Sequence, residues 1–171
     1  MVDLSLLDTF EAKGRALLGA SSLTGLWRIE RRAEDVKLQI AASAGGFDLG
    51  AKCETYGLYP WAGEWQGAPW EPVDWSVDQL CEEYFGLVRM LVSRDARLRL
   101  KYRRNRLQLV VVELRTPNGW QLFEQERRLV LPLGATREVL LQNDHLPPRF
   151  PFIGLHTGKA LVYLWRNAEG A

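Results

Sequence analysis

The stretch Tyr59-Pro60-Trp61-Ala62-Gly63-Glu64-Trp65-Gln66-Gly67-Ala68-Pro69-Trp70-Glu71-Pro72-Val73-Asp74-Trp75 lies between two similar runs of helix and strand patterns. It holds four of the seven tryptophans of the chain. Its three prolines and two glycines predict an ordered loop rather than a regular helix or a central strand. Because tryptophan is too large and apolar to stay free in water, the rings are expected to close a core or to contact a partner.

The residues before this stretch predict one helix and three strands. Apolar residues recur at helical spacing over 3–19, where Asp3 is a candidate cap and Gly19 ends the pattern. Apolar and polar residues then alternate over 26–40 around a polar turn, which predicts a β-hairpin. A third alternating strand, over 47–53, runs into the tryptophan stretch.

The residues after the stretch repeat this order. Ser76 and Gln79 have the spacing of a capping box and open a helix with an apolar face. Alternation and turn residues predict three further strands and two turns, and the tail predicts a short helix and a closing hairpin or edge strand. The strands are expected within 97–103, 107–114 and 120–131, the turns at 104–105 and 116–119, the short helix at 136–143 and the closing strands within 153–165.

The two runs match in order at an offset of about 70 residues, as expected for a tandem repeat. We interpret the chain as one compact domain, 1–171, with repeat halves 3–60 and 76–133, a tryptophan-rich linker 61–75 and a C-terminal extension 134–171. The alternative is that any two segments with one helix and three strands share such patterning.

The expected fold class follows from this order. It is α+β, with tandem α-β-β-β units that form mainly antiparallel sheet packed by two main helices, and with a C-terminal short helix and closing strands. The element order is similar in outline to that of secretion-chaperone-like domains, and no motif ties the chain to a family.

Composition narrows the function classes. The net charge of +1 gives no global attraction to nucleic acid or anionic lipid. No signal-peptide pattern and no long apolar run occurs, which predicts a cytoplasmic protein without membrane contact. Cys53 and Cys81 lie outside any CxxC or Cys/His spacing and are expected to be free buried thiols.

The search for chemistry finds one candidate. Asp144-His145 could act as a general-base pair, but adjacency in sequence does not define its geometry. The common nucleotide-binding, hydrolase and metalloprotease motifs do not occur in the sequence. No catalytic residue, metal site or cofactor is predicted.

The strongest charge signal is the basic run over 94–106. Arg97 is expected opposite Val112 and Arg99 opposite Val110, with Glu124 and Glu126 beyond the valines on the same sheet face. Such pairing would neutralise much of the row. It favours a solvated face or an acidic protein partner over nucleic acid.

These observations favour a non-catalytic protein-binding protein. An immunity or antitoxin-type inhibitor, or a chaperone-like adaptor, would occlude its partner, and a toxin or an effector is the candidate partner class. The alternatives are small-ligand or carbohydrate binding through the tryptophan stretch and, third, an enzyme that uses Asp144 and His145. The predicted partner-binding residues are Trp61, Trp65, Trp70, Arg97, Arg99, Arg103 and Arg104.

Overall fold

The computed structural model describes residues 5–19, 23, 25–73, 75–129 and 134–146. Two helices, α1 (Leu6–Gly19) and α2 (Val77–Leu91), each precede a group of strands. The first group is β1 (Trp27–Arg31), β2 (Asp35–Ile40), β3 (Leu49–Glu54), β4 (Gly57–Ala62) and β5 (Trp65–Gln66); the second is β6 (Ala96–Arg103), β7 (Arg106–Thr116), β8 (Gly119–Arg127) and β9 (Thr136–Leu141). The predicted α+β class with antiparallel sheet and two main helices is confirmed.

The strands form two antiparallel sheets. The first sheet has the order β1-β2-β3-β4-β5, and α1 packs on β1, β2 and β3. The second has the order β8-β7-β6-β9, and β5 of the first sheet contacts β7 and β8. Buried apolar residues of both sheets and both helices belong to one continuous core. Each sheet therefore keeps one face toward this core and turns the other outward.

Local sequence signals explain the helix starts. Ser76 caps α2, because its side chain accepts from the Gln79 backbone N–H while the Gln79 side chain accepts from the Ser76 N–H, as the capping-box pattern predicts. At the start of α1, Ser5 Oγ accepts from the Asp8 backbone N–H at 3.2 Å. The predicted cap, Asp3, lies outside the described residues. In the described part of the chain, no helix is both long and apolar enough to cross a membrane.

Each helix is followed by an antiparallel meander of three strands, β1-β2-β3 after α1 and β6-β7-β8 after α2. The next strand differs, because β4 lies beside β3 whereas β9 lies beside β6. The division into repeat halves, linker and extension stays a prediction.

The expectation that the tryptophan stretch is a loop and not a central strand is wrong for its first residues. Residues 59–62 belong to β4, which lies between β3 and β5, and a tight turn leads into β5. The carbonyl of Pro60 points toward β5, where it accepts from the Gly67 N–H at 3.0 Å. The N–H that proline lacks would point to the same side. Proline is therefore tolerated here, because β5 is only two residues long and no hydrogen bond to β3 is lost.

The predicted short helix over 136–143 is also wrong. Residues 136–141 form β9, which pairs with β6 from Leu98 to Arg103. Val139 and Leu141 pack against the core while Leu140 between them faces outward, a two-residue period that fits a strand. Pairing also covers the edge of β6 that would otherwise be open. The predicted closing strands within 153–165 lie outside the described residues.

Asn143, directly after β9, connects the β2–β3 loop to the end of α2. Its side chain is fully buried, and Nδ2 donates to the carbonyls of Phe47 and Leu91 at 2.9 Å each. Oδ1 accepts from the backbone N–H groups of Ser43 and Phe47 at 3.2 and 3.1 Å. One amide thus satisfies polar groups from the β2–β3 loop and the C-terminal end of α2.

Candidate functional site

The structure places the tryptophans of the predicted site in different environments. Trp65 has no exposed surface, and its ring meets Phe123 of β8 edge-on at 6.1 Å between centroids. It fills the contact between the two sheets. Trp61 lies half-buried on the outer face of the first sheet. The two rings therefore do not form one platform, and a partner could reach Trp61 but not Trp65.

Trp70 belongs to an aromatic cluster beside the helices. Its ring lies edge-on to Trp75 and to Tyr84 of α2, with centroids 6.4 and 6.1 Å apart. Tyr84 in turn contacts Phe10 of α1 at 5.5 Å. Trp70 and Trp75 are only half-buried, so they cover the end of the core rather than fill it.

The predicted register of the basic strand is wrong by one residue. Arg97 pairs with Glu113 and Arg99 with Val111, not with Val112 and Val110. The cause is Gln108, an extra residue of β7 between the pairs Tyr102↔Leu107 and Lys101↔Leu109. A one-residue shift in the pairing places each side chain of β6 opposite residues of β7 that face the other side of the sheet from those expected.

The glutamates therefore do not share a face with the arginines. The predicted neighbours of Glu124 and Glu126 are confirmed, because these residues pair with Val112 and Val110. Both valines point into the core, so the glutamates lie on the inner side, toward the first sheet. Glu124 Oε1 accepts from the Ala68 N–H at 3.3 Å, and Glu126 Oε2 accepts from the Gln66 N–H at 3.4 Å.

Glu113 is the acidic residue that neutralises the basic row. Its side chain is 8% exposed, accepts a 2.6 Å hydrogen bond from Arg97 Nε through Oε2, and accepts a second from Arg99 through Oε1. The sequence contained a signal, since a carboxylate within the apolar run 107–114 requires a cation when buried. Glu113 holds both guanidinium groups in fixed positions.

Arg97 also stacks on an aromatic ring. Its guanidinium carbon lies 4.2 Å from the centroid of the Trp120 ring, which belongs to β8. Such contacts are favourable and restrict the position of the guanidinium. Leu122 and Leu140, on the same outer face, are 50% and 55% exposed.

We call the outer side of the second sheet the cationic face. By strand alternation it includes Arg97, Arg99, Lys101 and Arg103 of β6, Leu109, Val111, Glu113 and Arg115 of β7, Trp120, Leu122, Gln125 and Arg127 of β8, and Glu138 and Leu140 of β9. Cations outnumber carboxylates on it. Within the described part of the chain, Lys101 and Arg127 make no ion pair.

The remaining predicted arginine, Arg104, lies at the tip of the β6–β7 hairpin. Arg104 and Asn105 have φ angles of 48° and 61°, as the two central residues of a type I′ turn require. The predicted turn at 104–105 is confirmed. Arg104 is exposed there, next to the row that includes Arg97, Arg99 and Arg103.

Asp144 and His145 each contact other groups. Among the described hydrogen bonds, none joins the two side chains. His145 Nε2 lies 2.8 Å from the Ala41 carbonyl, and Asp144 pairs with Arg94 at 3.5 Å. Both groups tie the segment after β9 to its neighbours. Among the described residues, no group of three His, Cys, Asp or Glu side chains could hold a metal ion.

The two thiols are free and buried, as predicted. Burial raises the pKa of Cys81 to about 12 and raises the pKa of Cys53 as well. A thiol that stays protonated is a poor nucleophile.

Comparison of this chain with protein-family models, curated proteins and solved structures finds no match.

Proposed function

We propose that this chain is a non-catalytic protein-binding protein that covers an acidic surface of another protein with its cationic face. The observation that carries the proposal is the pair Arg97 and Arg99, which Glu113 orients in a sheet face that also exposes Leu122 and Leu140. Arginine and tryptophan are the residues most enriched where protein partners gain binding energy.

Preorganisation supports this function. A free arginine side chain loses rotamer entropy when a partner fixes it. Here the contacts with Glu113 and Trp120 already fix Arg97, so this cost falls on folding rather than on binding. Lys101 and Arg127 add positive charge for steering toward an acidic surface.

The exposed leucines favour a protein over nucleic acid. Leu122 of β8 and Leu140 of β9 lie on the two sides of the arginines of β6. Phosphate backbones offer nothing apolar to such side chains, whereas a protein surface does. Occlusion of a partner in this way is the action of an immunity or antitoxin-type inhibitor or of a chaperone-like adaptor, with a toxin or an effector as the partner class.

The test compares capture by three versions of the full chain. The wild-type chain, a Lys101→Glu/Arg127→Glu variant and a Lys37→Glu variant are tagged and used for capture from the source cell, and retained proteins are identified by mass spectrometry. Lys37 is the matched control, because it lies on the outer face of the first sheet, where it pairs with Glu30 and Lys52.

We expect the wild-type chain and the Lys37→Glu variant each to capture one acidic protein in stoichiometric amount. With the purified partner, the double variant should bind at least about tenfold more weakly, and wild-type binding should weaken as salt rises. Equal capture by all three chains, no stoichiometric partner, or loss of the captured material on nuclease treatment would contradict the proposal. Unchanged circular dichroism and melting temperature establish that the variants fold.

A further inference from the structure

The outer face of the first sheet carries a row of four residues in register across four strands. Arg28 of β1 pairs with Gln39, Gln39 pairs with Gly50, and Gly50 pairs with Trp61 of β4. Leu38 and Ile40, the neighbours of Gln39 in β2, are buried against the core, so the row points outward. An aromatic ring, a glycine, an amide and a guanidinium thus follow one another across the sheet.

Gly50 determines how the Trp61 ring lies. A Cβ atom at position 50 would stand 2.8 Å from Cζ2 of Trp61 and 2.1 Å from the Leu38 carbonyl oxygen. The ring edge therefore lies directly over the glycine, where any side chain would collide with it. Glycine is used in strands where another group approaches the backbone this closely.

A cleft opens beside this ring at the end of the first sheet. It is open to solvent, has a volume of about 320 Å³, at the lower end of the range for small-ligand sites, and is lined by Leu26, Trp27, Gln39, Asp48 and Trp61, with Arg28 beside them. Aromatic and aliphatic surface forms its apolar part. Planar polar side chains are available next to it.

The polar groups of the cleft have hydrogen-bonding capacity left. Asp48 Oδ1 accepts from the Ala42 N–H at 2.7 Å, which fixes the carboxylate, and Oδ2 has no hydrogen-bond partner among the described residues. The Gln39 amide likewise makes no side-chain hydrogen bond within the described ranges. An amide offers two donors and an acceptor, and a carboxylate offers acceptors.

We propose that this cleft binds the pyranose ring of a neutral saccharide. The apolar C–H face of the sugar would lie on Trp61, and its hydroxyl groups would donate to Asp48 and exchange hydrogen bonds with Gln39. A nucleotide is disfavoured, because the one cation among the described lining residues, Arg28, already pairs with Glu30 at 2.6 Å. The site is on the opposite sheet from the cationic face and is independent of it.

Saturation-transfer difference NMR with the full chain tests the proposal. The probes are methyl β-glucopyranoside, methyl β-galactopyranoside, methyl α-mannopyranoside and N-acetylglucosamine, with adenosine as the planar competitor. Binding to so open a site is expected in the millimolar range. Trp61→Ala should weaken binding of the preferred sugar about tenfold or more. The matched control is Tyr56→Ala, an aromatic residue that is 80% exposed in the β3–β4 turn of the same sheet and should bind normally.

Gln39→Leu is the second variant, because it keeps the side-chain volume and removes the hydrogen bonds. It should also weaken sugar binding. This result tests the site independently of any change that Trp61→Ala makes to the sheet. The proposal is overturned if none of the four sugars binds, if binding survives both substitutions, or if adenosine binds as well as the preferred sugar.

Discussion

The Nε atom of Arg97 donates a 2.6 Å hydrogen bond to Oε2 of Glu113 across the β6–β7 pair. The carboxylate is 8% exposed while the arginine side chain is 25% exposed, so the pair lies at the boundary between core and solvent. Because Arg99 uses the other oxygen of the same carboxylate, one acidic group orients two cations. The arrangement of the cationic face depends on this residue.

Replacement of Glu113 by Gln should lower the free energy of unfolding by about 1–2 kcal/mol. Breaking a fully buried pair costs more, but water can still solvate the two partly exposed arginines. Urea denaturation measures the change. Glu138→Gln is the matched control: this carboxylate lies 4.0 Å from Arg99, is 51% exposed, and should change stability by about 0.5 kcal/mol or less. Equal effects of the two substitutions would refute the role of Glu113.

Trp65 and Trp61, two residues of the predicted site, should respond differently to truncation. Trp65→Ala removes a fully buried ring between the sheets and should cost about 3–5 kcal/mol, enough to unfold a marginal domain. Trp61→Ala removes a ring on the outer face and should cost about 1 kcal/mol. Melting temperature and urea midpoint decide between them. Similar losses for both would mean that Trp61 also belongs to the core.

Features that depend on contacts within one element could be predicted from the sequence. The Ser76 and Gln79 pattern gives the start of α2, and the turn at 116–119 forms as predicted, with Thr116 Oγ1 donating to the Gly119 carbonyl at 2.9 Å. These features depend on atoms a few residues apart. Propensity and spacing therefore suffice to place them.

Features that depend on pairing between elements could not be predicted from the sequence. A two-residue turn at 104–105 without a bulge pairs Arg97 with Val112, and the sequence gives no sign that Gln108 is an extra residue. Residues 136–141 look like a capped helix in isolation and become a strand because β6 offers an open edge. Which tryptophan is buried was equally undetermined, since the second sheet covers Trp65 and not Trp61.

Asn143→Ala should be among the most destabilising single substitutions, with a loss of about 3 kcal/mol or more. It leaves the carbonyls of Phe47 and Leu91 and the N–H of Phe47 buried without this partner. Asn143→Asp tests the donors specifically, because a carboxylate would face both carbonyls without a proton to donate. The control is Gln125→Ala on the exposed side of β8, where a change within about 0.5 kcal/mol is expected. Tolerance of both substitutions at Asn143 would disprove its joining role.

Glu124 should make stability depend on pH at the contact between the sheets. Burial raises the pKa of this carboxyl above its ordinary value, Glu126 adds to the rise, and the Ala68 N–H opposes it. The Trp65 indole also opposes the rise in this pKa, although its N–H lies outside hydrogen-bonding geometry. Arg128 supplies positive charge at this contact, since it pairs with Glu126 at 3.0 Å and with Glu64 at 3.4 Å.

Because the pKa is higher in the folded than in the unfolded chain, protonation of Glu124 favours folding. This contribution is complete below the ordinary glutamate pKa and is lost as the pH rises through the raised value. Glu124→Gln keeps an acceptor for the Ala68 N–H and removes the charge, so it should raise the urea midpoint at pH 7 and leave it unchanged at about pH 3.5. Glu34→Gln, in the exposed β1–β2 turn, provides the control and should change neither value. A Glu124→Gln variant that is less stable than the wild-type chain at pH 7 would show that the charged carboxylate stabilises the contact instead.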